Sequence, residues 1–186
     1  MLNKFIGSNF DCVLADPPWQ YKAKDVPMPR GFGKSSVDYY YKTMPIDCIQ
    51  ALPLREITSP DCVCFLWATN PLMPEAFGTL KAWGFSYKTM LTWEKENSSG
   101  MGYWFRGVTE HVLLGVKGDV KAFRSMQKNL IRNKIGRHSA KPHKIHDIIE
   151  AVTPNAKRLE LFARYKRANW TVFGNQVETD LLSEVM

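Results

Sequence analysis

Short apolar runs alternate with helical patterns along most of this chain. Six segments read as strands because they are brief and rich in β-branched, aromatic and apolar residues: 10–15, 61–67, 86–93, 110–117, 158–163 and 170–174. The clearest helix is 142–152, where Ile145, Ile148, Ile149 and Val152 recur at i, i+3, i+4 and i+7 and form one core-facing stripe. Residues 72–83 place Leu72, Ala76, Leu80 and Trp83 at helical intervals, and 45–54 carry a shorter set in Ile46, Ile49 and Leu52 or Pro53. Strands alternating with helices predict an α/β fold with a mostly parallel sheet covered by helices on both faces. Two long segments, 20–44 and 124–140, lack periodicity; loops of that length in a compact domain are functional lids or disordered. The 186 residues suit one domain, expected over 1–176, with 177–186 as a C-terminal tail or final short helix.

Composition changes this picture little. Apolar residues make up 45% and charged residues 23%, as in an ordinary globular protein. No apolar stretch is long enough to cross a membrane and the N-terminus lacks a signal-peptide pattern, so no membrane association is expected. Cys12, Cys48, Cys62 and Cys64 sit in apolar surroundings without disulfide or zinc spacing, and they read as reduced core cysteines of a cytoplasmic protein. Charge is more telling. Between Asp119 and Asp147 there is no acidic residue, but Lys121, Arg124, Lys128, Arg132, Lys134, Arg137, Lys141 and Lys144 fall there, so the whole excess of +7 lies in one stretch. Such concentration favours contact with a polyanion.

The chemistry begins at Asp16-Pro17-Pro18-Trp19, directly after the first apolar run. Proline forces extended geometry on the residue before it and donates no backbone hydrogen bond, so the strand stops at Asp16. A carboxylate, carbonyls and an indole are then expected at the strand's carboxyl end, where open α/β sheets bind ligands. These groups suit a nucleobase with an exocyclic amine. Lys141-Pro142 opens the clearest helix, and an anion site is expected at that helix start. Gly174-Asn175-Gln176 ends the last strand with amides able to fix hydroxyls or a base edge. Trp19 and one of Tyr39, Tyr40 and Tyr41 are candidates to stack on an extruded base. His143 and His146 lack partners at metal spacing and read as surface residues, so no metal is expected; His111 reads as a core or supporting residue.

These words, in order across most of the chain, resemble the family of the mRNA adenosine methyltransferase catalytic subunit and its bacterial and phage relatives, the MT-A70-like N6-adenine methyltransferases. The matching stations are Asp16-Pro17-Pro18-Trp19, Phe65-Leu66-Trp67, Trp83-Gly84-Phe85, Glu110-His111, Leu114 to Gly118, Ser139 with Lys141-Pro142, Leu159 to Phe162 with Arg164, and Trp170 through Gly174-Asn175-Gln176. The resemblance implies a Rossmann-like S-adenosylmethionine-dependent methyltransferase with permuted motif order. It implies Asp16, Pro17, Pro18 and Trp19 as the catalytic loop, and Asp16, Lys141, Arg164, Asn175 and Gln176 as donor-binding residues. Three departures stand out. Ala163 replaces a glycine common in relatives, and Lys166 and Arg167 stand where a His-Asn pair is common. The relatives' strand preceding the catalytic one, which contacts the donor adenine, is not expected here because the chain opens at Met1.

The expected activity is transfer of a methyl group to the N6 amine of adenine in DNA. The alternatives are the same reaction on RNA, cytosine-N4 methylation, or a non-catalytic nucleic-acid-binding subunit of a methyltransferase complex. The expected partners are nucleic acid, gripped by Lys34, Tyr39, Tyr41, Arg124, Lys128, Arg132, Lys134 and Arg137, and a second subunit in a homo- or heterodimer.

Overall fold

The structure is a computed structural model that describes residues 2–20, 43–100, 104–136, 140–175 and 177. Its described strands are β1 (Phe10–Ala15), β2 (Thr58–Ala68), β3 (Ser86–Lys95), β4 (Thr109–Lys117), β5 (Leu130–Asn133), β6 (Arg158–Leu161) and β7 (Trp170–Phe173). They form one sheet in the order β5-β3-β4-β2-β1-β6-β7. Pairing is parallel for β1 with β2 and β6, for β6 with β7 and for β3 with β5. It is antiparallel for β4 against both β2 and β3. Only β4 therefore runs against the rest. Six strands end at one rim, and β4 brings its opening residues, Thr109, Glu110 and His111, to that same rim.

The strand alternation sorts the core onto two faces. Along β2, Cys62, Cys64, Leu66 and Ala68 face one cluster while Val63, Phe65 and Trp67 face the other. The first face is covered by α1 (Ile46–Gln50), the short turn α2 (Leu54–Ile57) and α3 (Met73–Ala82), through Ile49, Leu54, Ala76 and Leu80. On the second face lies α4 (Lys144–Val152), whose Ile145, Ile148 and Ile149 pack there as their spacing predicts. Among the described residues no helix is long and apolar enough to cross a membrane.

Four local expectations need correction. The 124–140 segment contains β5, which pattern reading misses because the strand has four residues and buries only Ile131 completely, while Leu130 is 40% exposed. Cys48 is exposed; Cys12, Cys62 and Cys64 are buried free thiols. His146 is no surface histidine: it is buried, bonded to Glu160 Oε2 at 2.9 Å, and within 3.3 Å of the Tyr165 hydroxyl. The helix opens at Lys144 with His143 before it, so Lys141 stands clear of the first turn instead of capping it.

Candidate active site

The Pro17-Pro18 pair ends β1 as expected, and tertiary bonds then pin the turn. The Trp19 amide donates to the Pro17 carbonyl at 2.8 Å, the Met44 amide donates to the Pro18 carbonyl at 2.8 Å, and the Trp19 indole N–H donates to the Trp67 carbonyl at 3.0 Å. The stacking expected of Trp19 does not fit this arrangement. Its side chain is packed in the core, 5% exposed, because the indole N–H finds its acceptor inside. Pro17 retains one carbonyl lone pair for a ligand.

Asp16 is half-buried at the strand exit. Both its oxygens meet the Lys141 ammonium, at 2.9 Å and 3.0 Å, across a separation of 125 residues. That ammonium also lies 3.3 Å from Glu110 Oε2, and Lys95 Nζ donates to Glu110 Oε1 at 2.5 Å. The 3.3 Å approach is an ion pair without hydrogen-bond geometry, so Glu110 Oε2 is buried with no hydrogen-bond partner among the described residues. The result is a chain of alternating charge, Asp16–Lys141–Glu110–Lys95, built from β1, the segment before α4, β4 and β3. Two tryptophans floor it: Lys141 lies 5.4 Å over the Trp67 ring and Lys95 5.3 Å over Trp93, and the two rings meet edge to face at 6.0 Å.

The electrostatics follow from this packing. Burial strongly opposes ionisation of Glu110, yet the ammoniums of Lys141 and Lys95 outweigh it and hold its pKa below the ordinary carboxylate value. Burial also works against the charge on Lys141, but Asp16 and then Glu110 more than compensate and raise its pKa. On the other side of β4, His111 bonds to Asn70 Oδ1 at 2.7 Å and the Thr92 hydroxyl at 3.1 Å; burial lowers its pKa despite the neighbouring Glu110.

The exits of β6 and β7 lie beside β1. Gly174 approaches the Ala163 backbone so closely that an added Cβ would overlap the Ala163 carbonyl oxygen and stand 2.8 Å from its nitrogen. Ala163 N–H donates to the Phe173 carbonyl at 3.1 Å, and Phe162 turns the chain with φ of 64°. Arg164 and the exposed Asn175 thus follow two adjacent strand ends at the rim of Asp16. Arg167 turns away from the rim to α4, pairing with Glu150 at 2.7 Å and Asp147 at 2.6 Å, while the Trp170 indole N–H donates to Glu150 at 2.7 Å. A hydrogen bond from Arg167 lowers the Glu150 pKa to about 2, against the opposing effect of burial.

The basic stretch is divided by the fold. Arg124 lines a groove with Asp11, Asp61 and Val152 at the amino rim of the sheet, opposite Asp16. Lys128 is exposed just before β5, and Lys134 is exposed just after it. Arg132 is exposed and pairs with Glu94 at 2.9 Å. Arg124 is therefore not beside Asp16 as one contiguous patch would require, because β5 carries the chain from one rim to the other. Lys34, Tyr39, Tyr41, Arg137, Ser139 and Gln176 lie outside the described residues.

Sequence reading passed over Lys95, Trp104 and Phe105. A lysine after a strand carries no local signal. Trp104 and Phe105 are 94% and 89% exposed on the β3–β4 connection, whose base is closed by the Lys95 amide donating to the Val108 carbonyl at 2.8 Å. Adjacent aromatics this open are uncommon on a monomer surface and make this connection a candidate contact surface.

Comparison with known proteins bears on the same residues. A family model described as MT-A70 matches residues 10–176. The chain is 30% identical over 182 residues to the Type II methyltransferase M.MunI of a Mycoplasma species, an alignment covering 90% of this chain and 78% of that protein. It is 29% identical over 177 residues to an N(6)-adenosine-methyltransferase MT-A70-like protein of Arabidopsis thaliana, covering 90% of this chain and 24% of the relative. Against the human N(6)-adenosine-methyltransferase catalytic subunit METTL3 the identity is 29% over 187 residues, covering 95% of this chain and 30% of that protein.

Proposed function

Because the chain belongs to the MT-A70 family, we propose that it is an N6-adenine methyltransferase that takes its methyl group from S-adenosylmethionine and acts on DNA. MT-A70 methyltransferases are generally dependent on that donor. The observation that carries the reading is the Asp16 carboxylate, fixed at the carboxyl rim by the Lys141 ammonium at 2.9 Å.

The rim residues fit the donor chemically. S-adenosylmethionine carries a carboxylate, ribose hydroxyls and an adenine, and it supplies an electrophilic methyl group. Lys141 has three N–H donors, and its only hydrogen bonds among the described residues go to Asp16, so it can hold a carboxylate as well. The exposed Asn175 amide and the Arg164 segment, brought together by the Gly174–Ala163 contact, suit hydroxyls and a base edge. Gln176 belongs to the same reading.

What the chain does to its substrate follows from acceptor chemistry. The exocyclic amine of adenine is a poor nucleophile because its lone pair is delocalised into the ring. Asp16 and the remaining lone pair of the Pro17 carbonyl accept its two N–H groups and localise that lone pair on nitrogen. Charge developing on the amine in the transition state then meets a fixed carboxylate. Pro18 and Trp19 hold the acceptors still through the bonds to Met44 and Trp67. Trp104 and Phe105 offer the open aromatic surface that Trp19 does not, with Arg106 beside them for a phosphate.

DNA is preferred to RNA because the type II methyltransferase is matched over most of its length, 78%, whereas the adenosine methyltransferases are matched over 24% and 30% of theirs. We take residues 1–176 as the catalytic domain, the protein as cytoplasmic with reduced buried thiols, and a second subunit as its partner. The test uses labelled donor with adenine-containing DNA or RNA oligonucleotides, digestion to nucleosides and mass spectrometry. N6-methyldeoxyadenosine is the expected product. N6-methyladenosine would move the substrate to RNA, N4-methylcytidine chemistry would change the target base, and donor binding without any product would mean a non-catalytic subunit.

A further inference from the structure

The Asp16–Lys141–Glu110–Lys95 chain poses a problem that its first three members cannot solve. Lys141 lies within reach of two carboxylates, and it hydrogen-bonds the more exposed one. Asp16 is 22% exposed and receives both short contacts, whereas Glu110 is 8% exposed and stands 3.3 Å away, off the bonding direction. A buried carboxylate gains more from an ammonium than an exposed one does, because water screens it less. Left to themselves, Glu110 would win Lys141 and Asp16 would lose its anchor.

Lys95 removes that competition. It is the last residue of β3, its amide bonded to Val108, its ammonium seated over Trp93 and 2.5 Å from Glu110 Oε1. We propose that Lys95 is a positioning residue, which by neutralising Glu110 keeps the Lys141 ammonium, and through it the Asp16 carboxylate, in place for the reaction. The proposal rests on the methyltransferase reading for its catalytic consequence but not for the charge balance. Among the described residues, the charged and titratable groups around Glu110 are Lys95 from β3, Lys141 from the segment before α4, His111 next to it on β4, and Asp16 from β1 beyond Lys141. Two carboxylates and two ammoniums leave the chain neutral, and loss of either Lys95 or Glu110 unbalances it. Loss of both restores neutrality with Asp16 and Lys141 as the sole pair.

Four proteins test this: wild type, Lys95→Met, Glu110→Gln and the double variant. Thermal melts between about pH 5 and pH 8 read the charge balance without any substrate. In Lys95→Met, Glu110 draws the Lys141 ammonium from Asp16, and the two carboxylates that share this one ammonium hold a proton between them to higher pH in the folded state than in the unfolded chain. Stability of that variant is then retained at the acid end and lost as pH rises, relative to wild type, and the double variant loses this slope. Burial lowers the His111 pKa and the Glu110 charge raises it against that effect, so the His111 titration is followed by NMR in each of the four proteins and subtracted before the slopes are compared. In parallel, turnover with labelled donor falls at least about tenfold in Lys95→Met, as expected for a displaced catalytic group. Most of that loss is recovered in the double variant, which a residue merely bracing β3 against β4 would not allow.

A flat pH difference for Lys95→Met, or a double variant no better than the worse single one, overturns the proposal. If Lys95→Met fails to fold, failure of the double variant to fold overturns it as well, since balanced charge would have rescued it. Wild-type protein that transfers no methyl group would refute the methyltransferase reading, and the melting series would still decide the charge chain.

Discussion

Replacing Asp16 by Asn keeps the shape of the side chain and removes its charge. In the structure both carboxylate oxygens face the Lys141 ammonium, at 2.9 Å and 3.0 Å. An amide can turn only one oxygen to that ammonium, and its NH2 then faces the incoming amine, donor against donor. The variant loses one charge-assisted hydrogen bond to substrate, worth about 1.5–3 kcal/mol. It also loses a preorganised charge at the point where positive charge develops, and removing one such group costs about 2.7–4 kcal/mol. The two figures describe overlapping parts of one interaction, so the larger bounds the effect, and turnover should fall by about 10²–10³-fold. Donor affinity should fall much less, because Lys141 and Asn175 remain and the freed ammonium still has Glu110 within 3.3 Å. Turnover is read by mass spectrometry of N6-methyldeoxyadenosine at saturating substrate, and donor affinity by calorimetry. Asp16→Asn within tenfold of wild-type turnover would refute the acceptor role. A loss confined to donor affinity would place Asp16 in binding alone.

Further expectations follow from other parts of the fold. Gly174→Ala forces the backbones of β7 and the Ala163 turn apart, because the new methyl overlaps the Ala163 carbonyl oxygen; a cost of about 1–3 kcal/mol should lower the melting temperature by several degrees and weaken donor binding through Asn175. Glu150→Gln removes the carboxylate held by Arg167 and Trp170. Since the folded pKa of Glu150 is depressed to about 2, the wild-type advantage should be present above the unfolded carboxylate value near pH 4.5 and vanish as pH falls toward 2. Its size should be about 1 kcal/mol, screened because the pair is partly exposed, and melts at pH 3 and pH 7 give the comparison. Trp104→Ala with Phe105→Ala should weaken binding to an adenine-containing oligonucleotide at least about fivefold, from roughly 1–3 kcal/mol of stacking per base, with stability unchanged because both side chains are exposed; equal affinity in fluorescence anisotropy would remove the loop from the substrate surface.

The sequence by itself determined most of the scaffold. Apolar runs of strand length and the isoleucine stripe of α4 encode which positions must leave water, and that requirement is local enough to read residue by residue. Pro17 and Pro18 end β1 through their own covalent geometry, which put Asp16 at a strand exit before any fold was known. Tertiary structure decided which polar groups meet there. Lys95 carries no local signal of function, and Glu110 was legible only as part of the family word Glu110-His111. Glu110 reaches Asp16 because β4 runs antiparallel between two strands of the opposite direction and delivers its first residues to the rim where the others, Lys95 on β3 included, end. The same holds for Trp19, drawn inward by a carbonyl 48 residues away, for His146, buried by Glu160, and for the basic stretch, parted by a four-residue strand that buries one side chain fully. Hydrophobic burial is a property of a segment, whereas an ion pair or hydrogen bond needs two groups at a defined distance. When those groups are 125 residues apart, as Asp16 and Lys141 are, only the strand order sets that distance.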